Sequence, residues 1–286
     1  MRHAVIDVGS NSVRLMIEEN GRTLYKKTHT TRIAEGNGDG FLQPEPLERT
    51  ARAVAEFALE GAEEADEVFA FATAAVRSAR NGALFCARVK ELCGLEVDVL
   101  SGEEEALCGY VGACHGKPGK TGVIDVGGAS TEIVTGEGNA VSFRQSVYVG
   151  VVSMLGACGQ DEEKIKTHVE AKLSEFGNFP SVNFFAIGGT ATTIAAFDLE
   201  LEVYDPNRVE GHVITRERMR EIADKLIAMT PDERGACPGI PQKRKDVIAG
   251  GAMLLARFME KFSVETLTVS ESDNLEGYLK LKGANG

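Results

Sequence analysis

Two short segments of the chain place an aspartate just before a turn of small residues, and such turns can bind phosphate. The first turn follows Asp7 and the second follows Asp125; their residues are Gly9, Ser10, Asn11 and Ser12, and Gly127, Gly128, Ala129, Ser130 and Thr131. Glycine lets the backbone come close to a ligand and present N–H groups, and Ser and Thr hydroxyls add donors. One such turn is weak evidence, because hairpins often contain Gly and Ser, but two favour a pair of phosphate loops.

A self-comparison shows that both segments belong to an internal repeat. Residues 4–17 align with residues 122–135 at a constant offset of 125 − 7 = 118, and both copies read Val-Ile-Asp-Val-Gly with a Ser three residues later. In each copy an apolar run ends at the Asp, a turn follows and a second apolar run begins, which predicts a β-hairpin. We therefore expect the two tips to face each other across a cleft and to close around a phosphate chain.

A third small-residue element lies at Gly188, Gly189 and Thr190, where an apolar strand pattern ends and a helix pattern begins. A junction of this kind offers free N–H groups and the positive end of a helix dipole to an anion. In many proteins it is only a tight turn. Together with the two phosphate loops, it is expected to face the substrate.

The elements that follow each hairpin indicate duplication of a whole unit. In the first half, the apolar spacing predicts three strands and then alternating helices and strands, at 3–8, 12–18, 22–30, 46–60, 68–72, 81–93, 95–100 and 102–114. The second half repeats the order and then adds an insertion and further elements, at 121–126, 131–135, 140–147, 150–176, 184–187, from 190, 215–228, 244–261, 267–269 and 274–281.

This order predicts an α/β fold of two duplicated ribonuclease-H-like domains around an interdomain cleft. The boundary is expected in the Gly/Pro/Lys-rich linker 115–121. The predicted domains are therefore 1–117 and 118–286, with the last helix as a candidate to pack back on the first domain.

The composition is that of a globular protein with an acidic balance. Hydrophobic residues make up 43% and charged residues 26%, and the net charge is 31 − 43 = −12. A general binder of nucleic acid or of anionic membranes needs a surplus of Lys and Arg, so neither partner is expected. The apolar runs are too short for a membrane span and the first residues do not form a signal peptide, which predicts a cytoplasmic protein.

The cysteines and histidines show no pattern typical of a site. The six cysteines, Cys86, Cys93, Cys108, Cys114, Cys158 and Cys237, form no C-x-x-C pair. Buried reduced thiols are the simplest interpretation, and an iron–sulfur or zinc site is the alternative. His168 and His212 have no clear partner in the sequence and are interpreted as structural.

The three small-residue elements resemble the nucleotide site of the acetate-kinase, Hsp70 and actin superfamily. Four further segments narrow the resemblance to the exopolyphosphatase/guanosine pentaphosphate phosphohydrolase family: residues 73–81, 100–106, 125–132 and 238–248. The pair Ser-Gly-x-Glu-Glu-Ala and Asp-x-Gly-Gly-x-Ser-Thr-Glu is specific to this family. The resemblance spans nearly the whole chain, which is similar to the short form that has two actin-like domains and no HD-like helical domain.

Two positions depart from the family pattern. Ala129 stands where the family usually has Gly, and Asn274-Leu-Glu-Gly277 stands where it has Leu-Arg-Glu-Gly, so an Arg is missing. Neither change removes a carboxylate. They bear on the geometry of the second phosphate loop and on substrate preference more than on the chemistry.

The resemblance implies a hydrolase that releases terminal orthophosphate from inorganic polyphosphate, the 5′-γ-phosphate from guanosine pentaphosphate, or both. Such a reaction needs an oriented water, a base, and positive charge for the phosphoryl oxygens. Asp125 and Glu132 are expected to hold Mg²⁺, with Mn²⁺ as the alternative, because Mg²⁺ favours one or two carboxylates plus substrate oxygens and waters. Asp7 is a candidate for a second metal contact or for orienting a metal-bound water.

The resemblance also identifies Glu105 as the catalytic base, with Glu104 as the less favoured neighbour and Glu103 as a helix-start residue that stabilises the dipole. Arg77 is expected to hold phosphate oxygens, and a surface ion pair is the alternative. Arg14, on the second strand of the first hairpin, is a further phosphate candidate. Residues 243–245, Lys-Arg-Lys, are interpreted as a solvated face, with a track for a polyanion as the alternative.

Two other functions stay open. The phosphate loops would also serve a small-molecule kinase or ATPase of the same superfamily, although Ser-Gly-x-Glu-Glu-Ala argues against this. A sensor that binds polyphosphate or an alarmone without hydrolysing it gains some support from Ala129 and the missing Arg. In each case the partner is a small or polymeric phosphate compound, and a homodimer is left open.

Overall fold

The structure, a computed structural model, describes residues 1–37, 39–138, 140–180 and 182–283. The chain folds into two compact units. The first unit contains residues 1–105 together with the residues from Tyr278 onward, and the second contains Ala106–Gly277. The division between them therefore lies inside a helix, Gly102–Cys114, and not in the linker 115–121 where the sequence places it.

The first unit is a five-stranded mixed sheet with helices. Its strands are β1 Arg2–Val8, β2 Ser12–Glu19, β3 Arg22–Thr30, β4 Glu67–Ala72 and β5 Asp98–Val99, and its helices are α1 Pro44–Glu64, α2 Ala74–Ser78, α3 Gly82–Cys93 and the start of α4 Gly102–Cys114. The sheet order is β3-β2-β1-β4-β5, with β1 antiparallel to β2 and parallel to β4.

The burial pattern explains this strand order. Strand β1 has its apolar residues 4–6 at its centre and is buried on both faces, as expected for a central strand. Strand β3 contains only exposed and half-buried residues, which suits an edge. Gly61 lets α1 lie directly on β1, because a Cβ at this position would be 2.8 Å from the Cβ of Ala4.

The second unit repeats this plan in a larger form. Its strands are β6 Lys120–Val126, β7 Thr131–Glu137, β8 Ala140–Val147, β9 Asn183–Ile187, β10 Val213–Thr215 and β11 Thr266–Val269. Its helices are the rest of α4, α5 Val151–Cys158, α6 Glu162–Leu173, α7 Gly188–Asp198, α8 Pro206–Val209, α9 Arg216–Ala228, α10 Pro231–Gly235, α11 Ile248–Lys261 and the start of α12 Asn274–Leu281. A 3₁₀ turn spans Gln242–Arg244.

The sheet of the second unit confirms the predicted duplication. Its order is β10-β11-β9-β6-β7-β8, so β8, β7, β6, β9 and β11 correspond to β3, β2, β1, β4 and β5. The directions agree as well, because β6 is antiparallel to β7 and parallel to β9. Strand β10 is an addition at the edge, antiparallel to β11.

Several element boundaries differ from the prediction. The helices predicted around 150–176 are α5 and α6, separated by Gly159 at φ +61°. The helix predicted from residue 244 begins at Ile248. The strand predicted at 95–100 is reduced to Asp98–Val99, and the short helix α2 was missed. Among the described residues, no helix combines the length and apolar character needed to cross a membrane.

Candidate active site

The two predicted phosphate loops are built in the same way. The backbone N–H of Gly9 donates to the carbonyl of Ser12 at 3.0 Å, and that of Gly127 donates to the carbonyl of Ser130 at 3.0 Å. Each turn joins the two antiparallel strands of a hairpin, β1 to β2 and β6 to β7. The repeated sequence therefore produces a repeated local geometry.

The first loop carries a buried amide. Asn11 is 7% exposed, and its backbone carbonyl accepts hydrogen bonds from the backbone N–H groups of Thr31 and Arg32. Among the residues that the structure describes, neither polar atom of the Asn11 side chain has a hydrogen-bond partner. Buried polar groups are nearly always hydrogen-bonded in folded proteins, so this amide is suited to binding a ligand.

The second loop is held by the start of α5. The carbonyls of Gly127 and Gly128 accept hydrogen bonds from the N–H groups of Val151 and Val152 at 3.0 and 2.7 Å. Gly150 permits this approach, because a Cβ there would be 2.5 Å from the carbonyl carbon of Gly128. Gly150 was not among the predicted site residues; its position directly before a helix was the available signal.

Two hydroxyl groups predicted as phosphate donors are used inside the fold. The Thr131 hydroxyl donates to the carbonyl of Val149 at 2.6 Å, and the Thr190 hydroxyl donates to that of Val126 at 2.7 Å. Both residues are buried. These side chains therefore fix the loops and the α7 start in place.

Asp7, a candidate metal contact, forms an ion pair with Arg14, a candidate phosphate contact. The Arg14 Nε donates to Asp7 Oδ2 at 2.9 Å, and its Nη2 reaches the same oxygen at 2.5 Å. Asp7 is 4% exposed. The structure thus places a guanidinium, with its fixed positive charge, on the carboxylate at the end of β1.

Glu105 and Arg77, the predicted base and the predicted phosphate contact, are also paired. Arg77 Nη1 donates to Glu105 Oε2 and to the carbonyl of Leu100, both at 2.8 Å. Burial raises the pKa of the Glu105 carboxyl, Arg77 opposes this shift, and nearby Asp7 adds to it; the net pKa is raised. Arg77 therefore orients a carboxylate whose pKa is raised toward neutral pH.

Glu104 has a different role. Its carboxylate accepts a hydrogen bond from the backbone N–H of Ser101 at 2.8 Å, and its own N–H donates to the Ser101 hydroxyl at 3.2 Å. This reciprocal pair is a capping box at the start of α4. Glu104 is exposed, whereas Glu105 is 7% exposed. The geometry therefore favours Glu105 over Glu104 as a base.

Asp125 and Glu132 are cross-strand partners on β6 and β7. Both are buried; Glu132 Oε1 accepts from the Ser146 hydroxyl at 2.6 Å, and Asp125 Oδ2 accepts from the Asn274 amide at 3.0 Å. Like charges directly opposite each other on a sheet repel, so a cation would stabilise this pair. Two buried carboxylates form a hard oxygen donor set that fits Mg²⁺ or Mn²⁺.

This donor set is small. Among the described residues, no group of three or more His, Cys, Asp or Glu side chains is arranged to hold a metal ion. Mg²⁺ is commonly bound through one or two carboxylates, with waters and substrate phosphates completing its shell. A site at Asp125 and Glu132 would supply the two protein carboxylates of such a shell.

The Gly188-Gly189 element lies against both a carboxylate and an arginine. A Cβ on Gly188, at φ +78°, would be 2.6 Å from Asp125 Oδ1, and a Cβ on Gly189 would be 1.9 Å from Arg244 Nη2. A solvated face was predicted for residues 243–245. That interpretation was wrong for Arg244, which is half-buried and lies on the start of α7, whereas Lys245 pairs with the exposed Asp232 at 2.6 Å.

The structural role predicted for His168 and His212 stays a prediction, but the structure shows their surroundings. His212 has a partner that the sequence did not reveal, since its Nε2 lies 2.7 Å from Asp198 Oδ2. Burial lowers the pKa of His168, with Lys172 contributing. All six cysteines are free thiols, buried or half-buried.

Comparison with known proteins gives one consistent result. A sequence model of the Ppx/GppA phosphatase family matches residues 12–280. Exopolyphosphatase 2 of Mycobacterium tuberculosis is 30% identical over 310 residues, which cover 96% of this chain and 97% of that protein. The guanosine-5′-triphosphate,3′-diphosphate pyrophosphatase of Photobacterium profundum is 30% identical over 288 residues, which cover 96% of this chain and 58% of that protein.

The relatives differ in length. The chain spans 45% of a bifunctional 3-dehydroquinate synthase/phosphatase of Fusobacterium nucleatum, to which it is 28% identical.

In structure, the chain resembles the Aquifex aeolicus member of the Ppx/GppA family, with a TM-score of 0.83 at 30% identity over 100% of this chain and 99% of that one. The predicted α/β fold is therefore confirmed.

Proposed function

The chain belongs to the Ppx/GppA phosphatase family, and on that premise we propose that it is a metal-dependent phosphoanhydride hydrolase. Its substrate is inorganic polyphosphate, from which it releases terminal orthophosphate, or guanosine pentaphosphate, from which it releases the 5′-γ-phosphate. Relatives named for each of these activities support the two substrates.

The observation that carries the proposal is the buried Glu105–Arg77 pair. A general base works best when its pKa lies near the working pH, and burial raises the pKa of Glu105 in that direction. Arg77 holds one carboxylate oxygen at 2.8 Å, which fixes the orientation of the group. Glu105 takes the proton of the attacking water, and Arg77 acts as a positioning residue.

Asp125 and Glu132 would hold the metal ion. When bound, Mg²⁺ supplies positive charge that offsets the phosphoryl oxygens in the transition state. The two carboxylates keep their positions through Asn274 and Ser146, respectively. The loops at Gly9–Ser12 and Gly127–Ser130, and the buried amide of Asn11, would bind phosphate oxygens through N–H groups.

Phosphate release tests the proposal directly. The purified chain is incubated in Mg²⁺ with polyphosphate, guanosine pentaphosphate or ATP, and orthophosphate is measured by malachite green with Glu105→Gln as the control. Release from polyphosphate or guanosine pentaphosphate that Glu105→Gln abolishes supports the hydrolase. ADP formation only with a phosphoryl acceptor would replace it by a kinase, and binding without release would replace it by a sensor.

A further inference from the structure

Asn274, the first residue of α12, donates a hydrogen bond from Nδ2 to Asp125 Oδ2 at 3.0 Å. The two residues lie 149 positions apart in the chain, and both are buried, Asn274 at 4% exposure and Asp125 at 8%. The reversed amide would place two oxygens 3.0 Å apart, one of them on a carboxylate, so the donor must face Asp125.

The start of α12 is held so that this contact is fixed. The backbone N–H of Leu275 donates to Asp273 Oδ1 at 3.0 Å, and that of Asp273 donates to Glu276 Oε2 at 2.9 Å. Asp273 therefore acts as the N-cap of α12, and Glu276 accepts a hydrogen bond back from it, so the start of the helix is fixed at both residues. Asn274 therefore projects from a capped helix start.

Two glycines of α4 let the α12 start come this close. A Cβ on Gly112 would be 1.9 Å from the carbonyl oxygen of Asp273, and a Cβ on Gly109 would be 2.9 Å from Asn274 Oδ1. On α12, Gly277 packs against the backbone of α4 in the same way, because a Cβ there would be 1.7 Å from the carbonyl oxygen of Cys108. The approach that brings Asn274 to Asp125 thus depends on missing side chains on both helices.

Asn274 differs from the arginine that holds the equivalent aspartate of the first unit. Arg14 places a positive charge on Asp7, whereas Asn274 orients Asp125 through a neutral donor. A neutral donor fixes a carboxylate without cancelling the charge that attracts a cation. The Leu found at this place in the family pattern Leu-Arg-Glu-Gly has no such donor.

We propose that Asn274 is a positioning residue for the metal site: it orients Asp125 through Oδ2 and thereby strengthens the binding of a divalent cation at Asp125 and Glu132. The inference rests on the proposed function for the identity of that site. Partners of metal-binding side chains commonly change metal affinity by about 10- to 100-fold when they are removed.

The test measures Mn²⁺ binding by titration calorimetry, without substrate, for the wild-type chain, Asn274→Leu and Asn274→Ala. Leu retains side-chain bulk, and Ala removes the amide without adding bulk beside Gly109; neither can donate. Asn207→Leu, the same change at an exposed position of the second unit, is the matched control. We expect both Asn274 variants to bind Mn²⁺ about 10- to 100-fold more weakly, with the control unchanged.

Folding is checked by the melting temperature of each variant. A folded Asn274→Leu or Asn274→Ala that binds Mn²⁺ within twofold of wild type would overturn the inference, and so would an equal loss in Asn207→Leu. If the wild-type chain binds no Mn²⁺, the metal site and this inference fail together. Phosphate release by wild type in the same buffer then decides separately whether the proposed hydrolysis stands.

Discussion

Arg14 and Glu132 occupy equivalent positions in the two duplicated hairpins, each opposite the buried aspartate of its own hairpin. Asp7 pairs with Arg14 in the register of β1 and β2, and Asp125 pairs with Glu132 in that of β6 and β7. The cross-strand partner of the aspartate is thus a cation in the first unit and an anion in the second. This difference supports the proposed metal site in the second unit, because Asp7 is already paired with a cation.

Arg14→Gln is expected to lower the free energy of unfolding by about 3 kcal/mol, because it removes the cation from a buried carboxylate. Arg2→Gln is the matched control in the same sheet: Arg2 forms an ion pair with Glu19 at 2.8 Å, but both side chains are about 40% exposed. Exposed pairs contribute below about 1 kcal/mol. Urea denaturation measures both variants, and equal losses would contradict the burial argument.

Glu105→Gln is expected to lower the turnover number by about 10²- to 10⁴-fold, the usual contribution of a general base. Metal and phosphate binding should change little, because the loops and the metal carboxylates are untouched. Glu104→Gln is the control and should retain most of its rate, at a small cost from the lost capping box. If Glu104→Gln were the inactive variant, the base would be the other residue.

Asp125→Asn and Glu132→Gln are expected to raise the Mg²⁺ concentration needed for half-maximal activity, and extra Mg²⁺ should restore part of the rate. Each change keeps the shape of the side chain and removes a hard anionic ligand. Asp7→Asn is the comparison, because its carboxylate is paired with Arg14. An equal shift in Asp7→Asn would instead support Asp7 as a second metal contact.

kcat/KM is expected to fall on the acid side of its pH profile, and the midpoint of this fall (the acid limb) should lie at a pH above the ordinary pKa of glutamate. A base must be deprotonated to work, and burial raises the pKa of Glu105, so activity should increase as pH rises through that value. Arg77 lowers this pKa, so Arg77→Met should move the limb to higher pH. Arg88→Met, which removes a distant pair with Glu48, should leave it in place. A limb that moves to lower pH in Arg77→Met would be inconsistent with Glu105 as the base.

Gly150→Ala is expected to destabilise the protein by about 1–3 kcal/mol, because the added methyl meets the backbone of the second loop. It should also weaken phosphate binding. Gly156→Ala, in the last turn of α5, has open space around the new methyl and should stabilise the protein by about 0.5–1 kcal/mol, the helix propensity difference. Thermal unfolding of the pair measures the difference; two stabilising changes would show that Gly150 tolerates a side chain.

The sequence alone determined the features that depend on local patterns. The two copies of Val-Ile-Asp-Val-Gly predicted both hairpins, because alternating apolar runs and a glycine turn are encoded within about 14 neighbouring residues. The order of the later elements then predicted the duplicated α/β fold. The resemblance to a known family, not the local pattern, pointed to Glu105.

Contacts between distant residues were decided by the tertiary structure. Nothing near Asp125 in the chain indicates Asn274, and nothing near Glu105 indicates Arg77, because α12 and α2 are brought to the strand ends only when each unit packs. The same holds for Arg244, whose place on Gly189 depends on the 3₁₀ turn before α11. A charged residue shows its type in the sequence, but the partner that sets its role is chosen by the packing of the fold.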